Sequence, residues 1–446
     1  MTDHALHTDE QTINDLRILG KQDGRSVYEI YNRAHTRGGE SLLEKMFCNP
    51  LSDKEAINRR SSIIENFARL NISFPFTSSL LDVVEKYLLT ATDVRSTGNS
   101  PFSLGEKEIQ SGVSGIIELT RAMKQFVDNG DLWKIEAYAD EYNAILNFLS
   151  DPAFEPVLRE QRKGHLPYAA ITAYDTLFRN SESNKILKLL ASIYLLDVYI
   201  SVARTAIERG FVFPRAQEKG LCLLKLEGVY YPGLEHPVKN NISIDSSSNV
   251  IFLTGANMAG KSTFLRAIST ALYVAHLGFP VAADSMEFSV MDGVFTTINL
   301  PDNLGIGASH FYAEVLRVKK MATALSSGKS FFILFDELFR GTNVKDAQEA
   351  TVAVINGFAT NKNSIFFISS HIVEAGESLQ QLANVSFLYL PTRMSGHQPT
   401  YTYKLEQGIT DDRHGMVIIR NEGILEILKK GKKAEPFDKM TNRINI

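Results

Sequence analysis

The stretch Leu253-Thr254-Gly255-Ala256-Asn257-Met258-Ala259-Gly260-Lys261-Ser262-Thr263 narrows this chain more than any other. It follows an apolar run, Val250 to Leu253, and precedes Phe264, Leu265, Ile268 and Leu272 at helical spacing. Gly255 with Gly260-Lys261-Ser262 matches G-x-x-x-x-G-K-[ST], the phosphate-binding loop between a strand and a helix. Its glycines let backbone N–H groups face a phosphate, and the helix N-terminus adds positive dipole. Lys261 offers a charge for the β- and γ-phosphates of ATP, and the Ser262 hydroxyl a ligand for magnesium. A plain glycine turn is the competing reading; the strand–loop–helix context argues against it.

Around this loop the chain has two textures. From about 40 to 210 the apolar pattern is helical: Ile109, Val113, Ile116, Thr120, Met123 and Val127 recur at three and four residues. Lys185 to Arg209 predicts a long apolar helix stopped by Gly210. Lys185, Lys188, Asp197 and Arg204 interrupt it, which argues against a membrane span. After about 220, short apolar runs alternate with helical stretches. Val250–Leu253, Phe331–Phe335 and Ile365–Ile368 are continuous rather than alternating, as expected of strands buried on both faces of a parallel sheet. Gly228-Val229-Tyr230-Tyr231-Pro232-Gly233 suits a domain junction or a loop leading into a site.

Composition excludes several classes. The hydrophobic fraction of 44% and charged fraction of 22% are those of a globular protein. A net charge of −4 gives no global attraction for nucleic acid, so any DNA contact needs a local basic surface. The lysines 429, 430, 432 and 433 read first as a solvated tail. Cys48 and Cys222 allow at most one disulfide and no zinc cluster, which fits a cytoplasmic location. Residues 1 to about 15 are polar and acidic, with no signal core, and are expected to be disordered.

Phe331 to Phe335 ends in Asp336-Glu337. An acidic pair at the end of a buried strand is the expected partner of a phosphate loop. Asp336 would hold magnesium, and Glu337 would orient and deprotonate the attacking water. Alone, Asp-Glu is more often a surface turn. His371 closes the third buried run and faces the crevice where such sheets bind ligands. Between them, Gly305 and Gly307 lead to Ser309 before Phe311 and Glu314. This reads as an anion-binding nest or, more plainly, as a helix capped by Ser309 with Phe311 buried.

Together these pieces resemble the ATPase domain of the MutS DNA mismatch-repair family. Thr254 to Thr263 looks like its T-G-P-N-M-[GA]-G-K-S-T, and Asp336-Glu337-Leu338-Phe339-Arg340-Gly341-Thr342 like its D-E-[LI]-G-R-G-T. Ser309 to Glu314 is similar to its S-x-F-x-x-E, and Ser370-His371-Ile372-Val373-Glu374 to its T-H-x-x-E. Upstream, His35-Thr36-Arg37-Gly38-Gly39 resembles the opening of the family's helical core domain. Leu195-Leu196-Asp197 resembles its close, and Glu235-His236-Pro237 weakly matches R-H-P. The resemblance implies a dimeric ATPase in which Ser309 completes the partner's site in trans. It also implies that Asn257 contacts phosphate and His371 couples the γ-phosphate to the dimer contact. Tyr403, beyond the histidine strand, is the candidate for stacking on adenine.

Departures accompany the matches. The core motifs begin within about 40 residues of Met1, so the family's mismatch-reading domain is expected to be missing. Its DNA clamp is expected to be reduced or absent. Ala256 stands for the usual proline, Phe339 for a glycine, and Ala347 for the glycine after Asp346. The expected fold is multidomain, α and α/β. A disordered or partly ordered stretch 1–30 precedes a helical core and lever over 31–215. An ATPase domain with a mainly parallel sheet flanked by helices spans 216–430, and a basic tail 431–446. The ATP-binding set is Gly255, Ala256, Asn257, Met258, Ala259, Gly260, Lys261, Ser262, Thr263 and Tyr403. Ser262 and Asp336 are the magnesium ligands; Glu337, His371 and Ser309 serve catalysis. The expected function is a DNA-binding ATPase of repair or recombination, a homodimer that does not read mismatches alone and engages a repair-protein partner. The competing reading is a nucleotide-switched assembly protein without DNA recognition. A transporter-type ATPase is disfavoured because the leucine-serine-glycine-glycine signature is missing.

Overall fold

The computed structural model describes residues 5–20, 26–97, 104–160, 166–298, 300, 310–395, 398–410, 419–420 and 423–431. The first half is helical. Its main elements are Arg37–Cys48, Lys54–Arg69, Ser78–Thr97, Glu106–Asn129, Ala139–Leu149 and the 27-residue Ser183–Arg209. The last runs about 40 Å at 1.5 Å per residue. It stops where Gly210 turns left-handed at φ +65°, a conformation that glycine adopts without Cβ strain. By length and composition this helix would cross a membrane, yet 67% of its most apolar window is buried inside the protein. At its centre the fully buried Asp197 accepts bonds from His35 N (3.0 Å), Thr36 N (2.9 Å) and Thr36 Oγ1 (2.8 Å). The opening and closing motifs of the helical half thus meet at one carboxylate.

The second half holds twelve strands among the described residues. They are β1 (Arg215–Gln217), β2 (Leu224–Val229), β3 (Asn240–Ile244), β4 (Val250–Gly255), β5 (Ser285–Ser289), β6 (Gly293–Thr297), β7 (Phe331–Phe335), β8 (Ile365–Ser369), β9 (Val385–Leu390), β10 (Thr392–Ser395), β11 (Gln398–Tyr401) and β12 (Glu406–Gln407). The central sheet runs β12-β9-β4-β8-β7-β6 and is parallel except for the β12 edge. Every residue of β4, β6, β7 and β8 is buried, as the continuous apolar runs require. Because β4, β8 and β7 are neighbours, the turns that leave their carboxyl ends lie side by side. A second, mixed sheet, β1-β5-β2-β3, was not foreseen from the sequence. Its strands are short, and in β2 the exposed Lys225 and Glu227 alternate with buried Leu224 and Leu226.

One apolar cluster runs through both halves, from Leu16 and Phe47 through Ile193 to Leu272, Phe332 and Leu390. His276 sits at the junction, fully buried. Its Nδ1–H donates to Leu272 O (2.8 Å) and its Nε2 accepts from Met291 N (3.0 Å). Its carbonyl accepts from Leu51 N of the helical half (2.8 Å). Burial holds the imidazole neutral, its pKa lowered from 6.5 to about 4.

The expectation of disorder up to about residue 15 is corrected. From Ala5 the chain is packed, with a short helix at Glu10–Asp15 and Leu6, Leu16 and Ile18 buried. His7 pairs alongside Gly293 at the β6 edge of the sheet. The acidic residues that suggested disorder are bonded to partners hundreds of residues away: Asp15 accepts from Thr296 Oγ1 (3.0 Å) and Ile298 N (2.8 Å).

Candidate nucleotide-binding site

The phosphate loop leaves β4 at Gly255 (φ +145°) and enters helix Lys261–Ala275 through Gly260 (φ +99°). Met258, also left-handed at φ +69°, lies 74% exposed on the loop's outer turn. Lys261 is buried, and its Nζ folds back onto Gly255 O (2.8 Å) and Ala256 O (3.2 Å). Burial lowers its pKa, while the nearby Glu337 and Asp336 act in the opposite direction. Next to it the Ser262 hydroxyl bonds directly to Asp336.

The acidic pair follows β7 as the sequence suggests. Asp336 is held from two sides, by Ser262 and by the Ser369 hydroxyl at the end of β8 (2.5 Å), and its N–H donates to Thr297 O (2.8 Å). Ser369 Oγ also accepts from Glu337 N (2.8 Å), so one hydroxyl fixes both acids. Glu337 has φ +58°, unusual for a side chain of this size, which turns its carboxylate toward the loop. There it meets His371 Nε2 (2.7 Å) and Arg340 Nη1 (3.5 Å). The bond to His371 holds the carboxyl well below the usual range, at about 2, against burial and with help from Lys261 and Arg340.

Of these groups Lys261, Ser262 and Glu337 border a cavity of about 500 Å³. Asn257, Met258, Gly260, Lys261, Ser262, Thr263 and Glu337 line it together with Tyr230, Tyr231, His236, Pro237 and Tyr403. Tyr403 belongs to the site: a Cβ on Gly260 would lie 3.0 Å from its ring, so only a glycine lets loop and aromatic touch. Asn240 anchors that segment, donating to Tyr403 O (2.9 Å) and accepting from Leu405 N (2.8 Å). Ala256 and Ala259 shape the loop without lining the cavity; Ala259 is buried under it.

Ser309 lies outside the described residues, which resume at His310 with the helix His310–Leu325. That helix packs beside the acidic loop. Gly341 N donates to the buried Glu314 (3.4 Å), Arg340 Nη2 approaches His310 Nε2 (3.4 Å), and Phe311, half-buried, packs 5.7 Å from the ring of Phe339. Phe339 is itself left-handed, φ +62°, and buried, which accounts for the glycine that its family motif prefers there. Sequence reasoning missed Ser369, Arg340 and Asn240 as parts of the site. It read the Tyr230-Tyr231 stretch as a junction or approach loop, whereas the stretch forms a wall of the cavity.

Two family models match the chain: MutS domain III over residues 11–203 and MutS domain V over residues 251–435. Among curated proteins, the DNA mismatch repair protein MutS of Fusobacterium nucleatum is 28% identical over 266 residues, 58% of this chain and 29% of that protein. The DNA mismatch repair protein MutS of Streptococcus agalactiae is 28% identical over 262 residues, 56% of this chain and 30% of its own length. The chain therefore aligns with less than a third of each relative's length. Helical half and α/β half alike, it is a homologue of the MutS family.

Proposed function

We propose that the chain is a magnesium-dependent ATPase whose nucleotide occupies the 500 Å³ cavity. The observation that carries this is the meeting of Lys261, Ser262, Asp336, Glu337 and His371 at the carboxyl ends of three adjacent parallel strands. The γ-phosphate would replace Gly255 O and Ala256 O as the partner of Lys261, and backbone N–H groups of the loop would bind the other phosphates. Adenine would stack on Tyr403. Ser262 and Asp336, a hydroxyl and a carboxylate already in contact, are hard oxygen donors that suit magnesium. The ion would supply charge neutralisation between the phosphates.

Glu337 would orient the attacking water. While His371 is bonded to it the carboxylate is a poor proton acceptor; once that bond is released, Glu337 could take the water's proton as well as orient it. His371 would turn from Glu337 to the γ-phosphate when nucleotide arrives. Dimerisation, with Ser309 completing the partner's site, and an action on DNA in repair or recombination extend the same reading from the MutS homology. The net charge of −4 favours the second reading, a nucleotide-switched assembly protein without DNA contact. Salt-dependent titration of duplex and branched DNA separates the two.

The direct test is a pair of variants. Lys261→Ala should lose nucleotide binding; Glu337→Gln should keep it and lose turnover. Normal turnover in Glu337→Gln would remove Glu337 from its role.

A further inference from the structure

The N-terminal segment fastens the nucleotide site from behind. The Asp9 carboxylate is bonded to Arg317 and Lys320 on helix His310–Leu325, the Lys320 bond measuring 2.6 Å. Arg317 is buried, and spends its remaining N–H groups on Thr297 Oγ1 (3.0 Å) and Thr296 O (2.7 Å) at the end of β6. Thr297 in turn accepts the N–H of Asp336 (2.8 Å). Asp9 is thus two residues removed from the acid assigned to magnesium. Asp15 ties the same strand end from the other side, and its carbonyl accepts from Arg266 (2.8 Å) on the phosphate-loop helix.

The guanidinium of Arg317 needs this partner. A buried cation bonded only to a carbonyl and a hydroxyl is poorly compensated, so it would leave its place if Asp9 lost its charge. Burial works against ionisation of Asp9, yet the bonds from Arg317 and Lys320 hold its carboxyl well below the usual range. Asp9 lies outside both stretches matched by the family models, whereas Arg317 and Lys320 lie inside one.

We infer that Asp9 is a positioning residue for hydrolysis: through Arg317 and Thr297 it fixes the backbone of Asp336, and through Arg317 and Lys320 it fixes the helix packed on the Glu337–Arg340 loop. This rests on the assignment of Asp336 and Glu337 to hydrolysis. Lys261 is bonded within its own loop, to Gly255 O and Ala256 O, and touches none of the residues that Asp9 fastens, so loss of Asp9 strikes turnover more than nucleotide binding.

The test uses the full chain with Asp9→Asn, Asp9→Glu and Lys320→Ala. Asp9→Asn should lower kcat about tenfold or more with KM for ATP within about twofold, since small misplacements of reacting groups cost that much or more. Asp9→Glu, which keeps the charge, should recover most of it. Lys320→Ala removes one exposed fastening and should show the same split in weaker form. Hydrogen exchange should rise across His310–Leu325 and stay unchanged across Lys261–Ala275. An unchanged kcat in Asp9→Asn overturns the inference. So does parallel loss of kcat, affinity and protection in both helices, the mark of plain unfolding. If the unaltered chain hydrolyses no ATP, the assignment of the site fails instead, and the exchange pattern still decides whether Asp9 holds the helix.

Discussion

Asp197 in the helical half and Asp336 in the α/β half are both carboxylates held by several bonds, and they differ in what holds them. Asp197 is fully buried against the backbone N–H groups of His35 and Thr36, which cannot move away without breaking the start of helix Arg37–Cys48. Asp336 is held on its side-chain oxygens by two hydroxyls, Ser262 and Ser369, side-chain donors that can turn away without unwinding a helix. The first arrangement is a joint; the second can exchange its partners for a cation. Residue type and burial alone do not separate a structural acid from a chemical one; the mobility of the donors does.

The sharpest way to break this contrast is to neutralise each acid in turn. Asp336→Asn should cut turnover on the order of a thousandfold, about 4 kcal/mol of barrier, and leave the melting temperature nearly unchanged. Asp197→Asn should do the reverse. Loss of charge-assisted bonds to buried N–H groups costs about 2–3 kcal/mol of stability, seen as a lower denaturant midpoint, while the folded fraction turns over normally. Should both substitutions affect stability alone, the distinction collapses.

A pH titration sharpens it from the junction between the halves. The folded His276 has a pKa of about 4, against 6.5 for the ordinary imidazole, so the unfolded chain takes up the proton first. Its contribution is intact above pH 6.5 and is lost progressively as pH falls toward 4, roughly 2 kcal/mol by pH 5. Glu337, at about 2, stays charged throughout this window. Unfolding free energy measured between pH 7.5 and 5 should therefore decline, and a His276→Gln variant should decline less steeply. Equal slopes for the two proteins would show that His276 is not the group responsible.

The smallest effect is expected at Phe339. Its left-handed backbone costs about 1 kcal/mol that a glycine would not, but its buried ring contributes about 2–3 kcal/mol. Phe339→Gly should lower stability by about 1–2 kcal/mol in a denaturant series. A gain in stability would mean that strain outweighs packing at this turn.

Much of the α/β half was legible because its signals are local. Continuous apolar runs of four or five residues, each closed by a chemical group, mark buried parallel strands and the residues at their ends. Asp336, Glu337, His371 and Lys261 were found this way, since each stands beside the feature that gives it meaning. Ser369 was not, because a serine ending a strand carries no signal until its neighbour strand is known. Asp9 and Asp15 misled for the same reason: among polar neighbours they looked solvated, and their partners Arg317 and Thr296 lie roughly 300 residues on. The four-stranded sheet stayed hidden because its strands are only three to six residues long, too short for their alternation to stand out from loop sequence. Tyr403 was a candidate only through the family resemblance, and its contact with Gly260 places it at the cavity.

The apolar cluster shared by both halves carries a consequence for cooperativity. The cluster that spans Leu16, Phe47, Leu272 and Leu390 joins the helical half to one face of the central sheet, and a second, with Phe252, Ile333 and Phe366, packs the other face, so no boundary separates the two halves. Heat or denaturant should dismantle lever and sheet in one transition, and a cut near residue 215 would leave two fragments with raw apolar faces. Substitutions in the long helix Ser183–Arg209 then act on the phosphate loop through the population of folded chain, without touching a single residue of its cavity.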